Sequence, residues 1–133
     1  MIEQHEHLTV EIEDDIVVVR FNGPRITNVN DIRQIGDVLF KLLENHYPAQ
    51  FILDFERVNY LPSAMLGKLA AIRNKISSLG GRLKLTNLQG QVKQVFEMTQ
   101  LEKIFAIFPD VDCLETEVPF FGPTSGLITK FQR

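Results

Sequence analysis

A small α/β domain on a mixed, mostly parallel sheet is the fold class this sequence predicts. Short runs of alternating or β-branched apolar residues recur along the chain. Apolar residues at helical spacing fill the intervals between them. Those intervals are long enough for a crossover between parallel strands. The predicted order is β-β-α-β-α-β-α-β, in a sheet of four to five strands with a short helical ending. A length of 133 residues suits one domain, and a hydrophobic fraction of 44% supplies one core.

Each element has its own signal. Leu8, Val10 and Ile12 alternate with polar residues and read as a strand; Asp14-Asp15 then reads as a hairpin turn. Ile16 to Phe21 (IVVVRF) is β-branched and makes a second strand, which Asn22-Gly23-Pro24 ends. Ile32, Ile35, Leu39, Leu42 and Leu43 share one helix face, with Thr27, Asn28 or Asn30 as N-cap and His46-Tyr47-Pro48 as the stop. Phe51 to Phe55 (FILDF) is short and apolar, as expected of a strand buried on both faces. A second helix begins near Ser63. Met65, Leu69, Ile72, Ile76 and Leu79 line its inner face, and Gly80-Gly81 closes it with Gly80 in the left-handed C′ position. Arg82 to Thr86 alternates again. A third helix carries Val92, Val95, Phe96 and Thr99 inward, with Asn87 as its expected N-cap. Ile104 to Phe108 (IFAIF) is the last expected strand, and Asp110 to Val118 forms one or two helical turns. The stretch before Leu8 reads as a solvated, frayed terminus.

Composition excludes several function classes. A net charge of −3 lacks the basic excess of a nucleic-acid binder. The N-terminal MIEQHEHLTVEIEDD has neither the basic start nor the apolar run of a secretory signal. No stretch approaches the ~20 apolar residues of a membrane span. A single cysteine, Cys113, forms neither an internal disulfide nor a zinc site by itself, so a cytoplasmic location is expected. Cys113 reads as a small apolar filler.

The chemistry-bearing motifs are few. There is no phosphate-binding loop and no dinucleotide fingerprint after a strand. Gly80-Gly81 lies at a helix end, where it serves as a cap. His5 and His7 flank Glu6 without a third metal ligand, and His46 suits a helix C-terminus. Asp54 and Glu56 bracket Phe55 at a strand end, but such a pair is common on surfaces. These readings predict no enzyme activity, no cofactor and no metal.

The segment Leu61 to Gly67 (LPSAMLG) is more informative. It joins a buried strand to a helix, and Ser63 falls where an N-cap belongs; spacing favours that role. The alternative is an exposed hydroxyl open to a kinase. A phosphate there adds about −1.5 to −2 charge beside a docking face, and the helix N-terminus tolerates it.

From Leu8 to Val118 the ordered set of motifs resembles a STAS domain, the sulfate transporter and anti-sigma factor antagonist module. The resemblance is carried by Leu53-Asp54-Phe55, Val58, Leu61 to Gly67, Gly80-Gly81-Arg82-Leu83-Lys84-Leu85, Val92 to Leu101 and Ile104 to Phe108. It implies a SpoIIaa-like fold over residues 1–118. It also implies that the protein binds a serine-kinase-type anti-sigma factor and releases a sigma factor, with Ser63 in the phosphorylated position. The implied partner surface is Asn59, Tyr60, Leu61, Pro62, Ser63, Ala64, Met65, Leu66 and Lys68. Three residues depart from the family's Asp-Ser-Ser/Thr-Gly: Pro62 replaces the Asp, Ala64 the Ser/Thr and Met65 the Gly. Gln100 replaces the Gly of Leu-Thr-Gly-Leu, which reads as a minor change. The departures leave a second expectation, a STAS scaffold or assembly subunit without a phosphate switch. A small-ligand sensor is a third, resting on the fold alone.

Residues 119–133 (PFFGPTSGLITKFQR) form an apolar C-terminal extension beyond the module. Five large apolar side chains in so short a stretch are expected to fold back over the domain's own surface. The alternative is a contact with a partner or with a second copy in a homo-oligomer.

Overall fold

The alternating apolar residues at the start of the chain fold as an antiparallel ribbon. The computed structural model describes residues 2–23, 26, 28–45 and 50–109. β1 (Ile2–Gln4) pairs with β2 (Leu8–Glu13), and β2 with β3 (Ile16–Phe21). Asp14 turns the second hairpin at φ 56, a conformation that Asp tolerates. From β3 onward the sheet is parallel: β3, β4 (Gln50–Asp54), β5 (Arg82–Thr86) and β6 (Ala106–Phe108) lie side by side in chain order. Helices α1 (Val29–Asn45), α2 (Ser63–Ser78) and α3 (Gly90–Met98) make the crossovers, and a 3₁₀ turn (Leu101–Lys103) precedes β6.

Among the described residues the sheet has six strands, one more than the upper expectation. The stretch before Leu8 is paired over residues 2–5 rather than frayed: His5 N–H donates to the Leu8 carbonyl at 2.8 Å, and Ile2 to Gln4 pair with Glu11 to Thr9. With one apolar residue in three, that segment carries too little periodicity to read as a strand.

Because each parallel step moves in the same direction, right-handed crossovers put every helix on one face. The core follows. Val10, Val19, Leu53, Leu85 and Ile107 form a row across the sheet and pack with Ile35, Leu39, Leu43, Leu69, Ile72 and Phe96 from the helices. The opposite face carries Val18, Ile52, Lys84 and Ala106 in one row. Both faces of β4 are thus buried, as its composition predicts.

Some element ends match the sequence signals and others differ. Asn28 caps α1, its Oδ1 accepting from the Asp31 N–H at 2.8 Å, and Gly80 takes the left-handed position at φ 83. Asn87 does not cap α3: it adopts φ 62, and Gln89 holds the N-cap position. β6 starts at Ala106, since Ile104 still belongs to the turn after the 3₁₀ segment. Gln100 sits at φ 62, so replacing the family's glycine is a strained change rather than a minor one. The expected helical turns at 110–118, Cys113, the His46-Tyr47-Pro48 stop and the 119–133 extension lie outside the described residues.

Candidate partner-binding site

The strand-to-helix corner is built from the core upward. After Asp54 the chain turns through residues 55–62 and enters α2 at Ser63. Phe55 anchors the turn from beneath. Its ring lies 4.9 Å from Phe21 and 6.4 Å from Phe96, and Phe96 stands edge-on to Phe105 at 5.7 Å. Pairs of this kind add about 0.5–1.5 kcal/mol beyond area burial. The Val58 N–H donates to the Phe55 carbonyl at 2.9 Å and tightens the turn.

Asp54 is not part of a surface carboxylate pair. It is 3% exposed, on the face away from the helices. One oxygen accepts from the Glu56 N–H at 3.1 Å and from Asn87 Nδ2 at 2.8 Å; the other lies 3.4 Å from Arg20 Nε. A buried carboxylate held by three donors positions the chain. Arg20 also donates to Glu11 at 2.7 Å. That bond chiefly, aided by the charges of Glu11 and Asp54, raises the guanidinium pKa against the cost of burial.

The start of α3 clamps the same corner. Gln91 Oε1 accepts from the Leu61 N–H at 2.9 Å, and its Nε2 donates to the Leu61 carbonyl at 3.3 Å. Gln89 Nε2 donates to the Glu56 carbonyl at 2.8 Å. From the other side, the Ile26 N–H donates to the Tyr60 carbonyl at 3.4 Å. Sequence reasoning singled out neither glutamine, because nothing local marks a side chain that bonds to backbone some thirty residues away.

Ser63 is the first helical residue, not the cap. The N-cap position belongs to Pro62, at φ −74 and ψ 152, and no side chain caps α2. The expected cap is corrected by one residue because proline holds this extended backbone and Ser63 has already turned into the helix. The first turn carries no acidic residue, and the Met65 N–H closes back on the Pro62 carbonyl at 2.9 Å. An exposed hydroxyl therefore stands at an uncapped, partially positive helix end.

The candidate surface divides in two. Asn59, Ser63 and Ala64 are exposed, and Tyr60, Pro62 and Lys68 are half-buried. Leu61, Met65 and Leu66 are buried in the helix-side core. These three support the corner from below, because α2 packs on α1 and β5 through that side. Lys68 crosses onto α1. A Cβ on Gly36 would meet Lys68 Cδ at 2.8 Å and Cε at 2.9 Å, so the lysine stem lies over the glycine. The corner thus presents a small polar and apolar ridge with a cation beside it.

Elsewhere, His5 lies 3.3 Å from Glu3, and His7 bonds Gln34 at 3.0 Å and lies 3.3 Å from Asp31. The His7 contacts tie the first turn to α1. Among the described residues no group of three or more His, Cys, Asp or Glu could hold a metal ion. No helix among them is long and apolar enough to cross a membrane.

One sheet with the described helices on one face, and an exposed serine at the start of α2, define a class of small α/β domains. The chain belongs to the STAS domain family, whose model matches residues 7–113. Its fold is similar to that of a Thermotoga maritima protein assigned as an anti-sigma factor antagonist, with a TM-score of 0.73 and 25% identity over 86% of this chain and 98% of that one. The Bacillus cell fate determinant SpoIIAA in its phosphorylated form shares the fold at a TM-score of 0.62, with 18% identity, 82% of this chain and 97% of that one. A sulfate transporter family protein from Wolinella succinogenes does so at 0.58, with 16% identity, 77% of this chain and 83% of that one.

Proposed function

We propose that this chain is a protein-binding regulatory domain that acts as an anti-sigma factor antagonist. Its partner is a serine-kinase-type anti-sigma factor, and the complex releases a sigma factor in the cytoplasm. The site works by docking rather than by catalysis. Asn59, Tyr60, Pro62, Ser63, Ala64 and Lys68 form the contact ridge, and Leu61, Met65 and Leu66 hold it from within. The observation that carries this reading is Ser63, exposed at the uncapped start of α2 on a corner fixed by Gln89 and Gln91. A phosphate on Ser63 faces the positive end of the helix, so it leaves the fold intact and acts on the partner by charge and bulk.

The test mixes the protein with kinase-type anti-sigma factors from its own genome and ATP. A complex that Ser63→Asp disrupts and Ser63→Ala preserves, with phosphate on Ser63 by mass spectrometry, supports the switch. No complex with any such kinase defeats the proposal. A second reading, a STAS scaffold without a switch, is favoured by Pro62, Ala64 and Met65, which leave Ser63 without the flanking carboxylate, hydroxyl and glycine of the family motif. A complex indifferent to both Ser63 variants is its signature.

A further inference from the structure

The face of the sheet opposite the helices is buried without a described layer over it. Ile52 on β4 is 3% exposed and Phe108 on β6 is 2% exposed; Ala106 is buried beside them. This cluster is composed of strand residues alone among those described, with Ile16 and Val18 packed against it. Strand neighbours shield the sides of a pleated row but leave its top open. Among the described residues β6 is an edge strand three residues long, so its described in-plane neighbours cannot bury Phe108 to this extent. Every described helix packs on the other face, so a second layer has to come from elsewhere.

We propose that residues 119–133 of this same chain bind the open face as its second layer. The chain leaves β6 at Pro109, beside Phe108 itself. Crossing from β6 to β3 requires three strand spacings, about 14 Å. Residues 110–118 reach about 30 Å when extended, twice what is needed. The extension brings Phe120, Phe121, Leu127, Ile128 and Phe131 to an apolar strip of Ile16, Val18, Ile52, Ala106 and Phe108. Charge complements shape. The connecting residues 110–118 (DVDCLETEV) carry four carboxylates and no base. The face they cross carries Arg82 and Lys84 on β5. The docking is independent of the functional reading above, since it lies on the face away from the α2 ridge.

The full chain, labelled at Ile, Val and Phe, tests this by solution NMR. Expected are cross-peaks from the methyl groups of Ile52 and Val18 to ring protons of Phe120, Phe121 or Phe131. In a mixture of labelled and unlabelled protein these contacts are expected to stay within one chain. The Phe120→Asp, Phe121→Asp double variant is expected to shift the Ile52 and Val18 methyl resonances and to bind an apolar dye, while the helix-side core keeps its dispersion. Contacts that run between two chains overturn the proposal in favour of a face shared by copies. Methyl resonances unmoved by the double variant, or without contact to residues 119–133, overturn it outright.

Discussion

Ser63 and Gln100 show how one backbone angle sets what a side chain can do. At the first helical position Ser63 sits where backbone N–H groups lack intrahelical partners. A carboxylate there is favourable: Ser63→Asp is expected to stabilise the isolated domain by about 0.5 kcal/mol. If the ridge is the partner surface, the same variant weakens the complex. Thermal unfolding and a binding titration on one sample separate the two effects, and a destabilised Ser63→Asp domain would argue that the helix start is not free. Gln100 sits after α3 at φ 62, where a β-carbon is strained. Gln100→Gly is therefore expected to raise stability by about 1 kcal/mol, read as a higher urea midpoint at unchanged slope.

At the level of elements, the corner belongs to α3 as much as to α2. Both bonds of Gln91 go to the backbone of Leu61. Gln91→Ala leaves those two buried groups unpaired and is expected to cost about 1–3 kcal/mol. Hydrogen exchange at Leu61 should accelerate first; protection that stays at the wild-type level would show that the clamp is dispensable. The α1–α2 contact makes a different prediction. Gly36→Ala pushes against the flexible stem of Lys68, not against backbone. It also gains helix propensity of up to about 1 kcal/mol. Stability is expected to hold or rise slightly while the Lys68 ammonium moves, so a complex that depends on Lys68 weakens without unfolding. A large loss of stability would mean that the helices cannot accommodate the methyl group.

On the scale of the whole sheet, one cation among the described residues is buried. Lys84 is 3% exposed and donates to Gln50 Oε1 at 3.3 Å. Burial, with repulsion from Arg82, lowers its pKa from 10.5 to about 8. Between those values the unfolded chain holds a proton that the folded chain has released, so stability rises with pH across that window. Below about pH 8 both states are protonated and the full cost remains. Relative to Lys84→Met, the wild type is thus expected to gain stability from pH 8 to pH 10, measured by denaturant midpoints. A constant difference between the two proteins would mean that the ammonium is not desolvated.

Much of the scaffold could be read from local pattern. The spacing in 16–21, 51–55 and 82–86 and the helical repeats through Ile32 and Leu69 are set by residues a few positions apart, and the strands and helices formed where those repeats lie. The same spacing already put Met65 on the inner face of α2. What stayed hidden involves distant partners. Leu66 turned inward because α2 meets α1, and Asp54 gave up its solvent for Asn87 and Arg20. The clamp by Gln89 and Gln91 is equally nonlocal. By itself, the sequence determined the order of elements, the family resemblance and the place of Ser63 at a strand-to-helix corner, because periodicity and turn chemistry are short-range. Only the tertiary structure decided which residues of that corner face outward, which polar groups hold it, and that the described helices all lie on one face of the sheet. Those outcomes depend on which segments meet across the fold, and burial and hydrogen bonding are settled at that meeting.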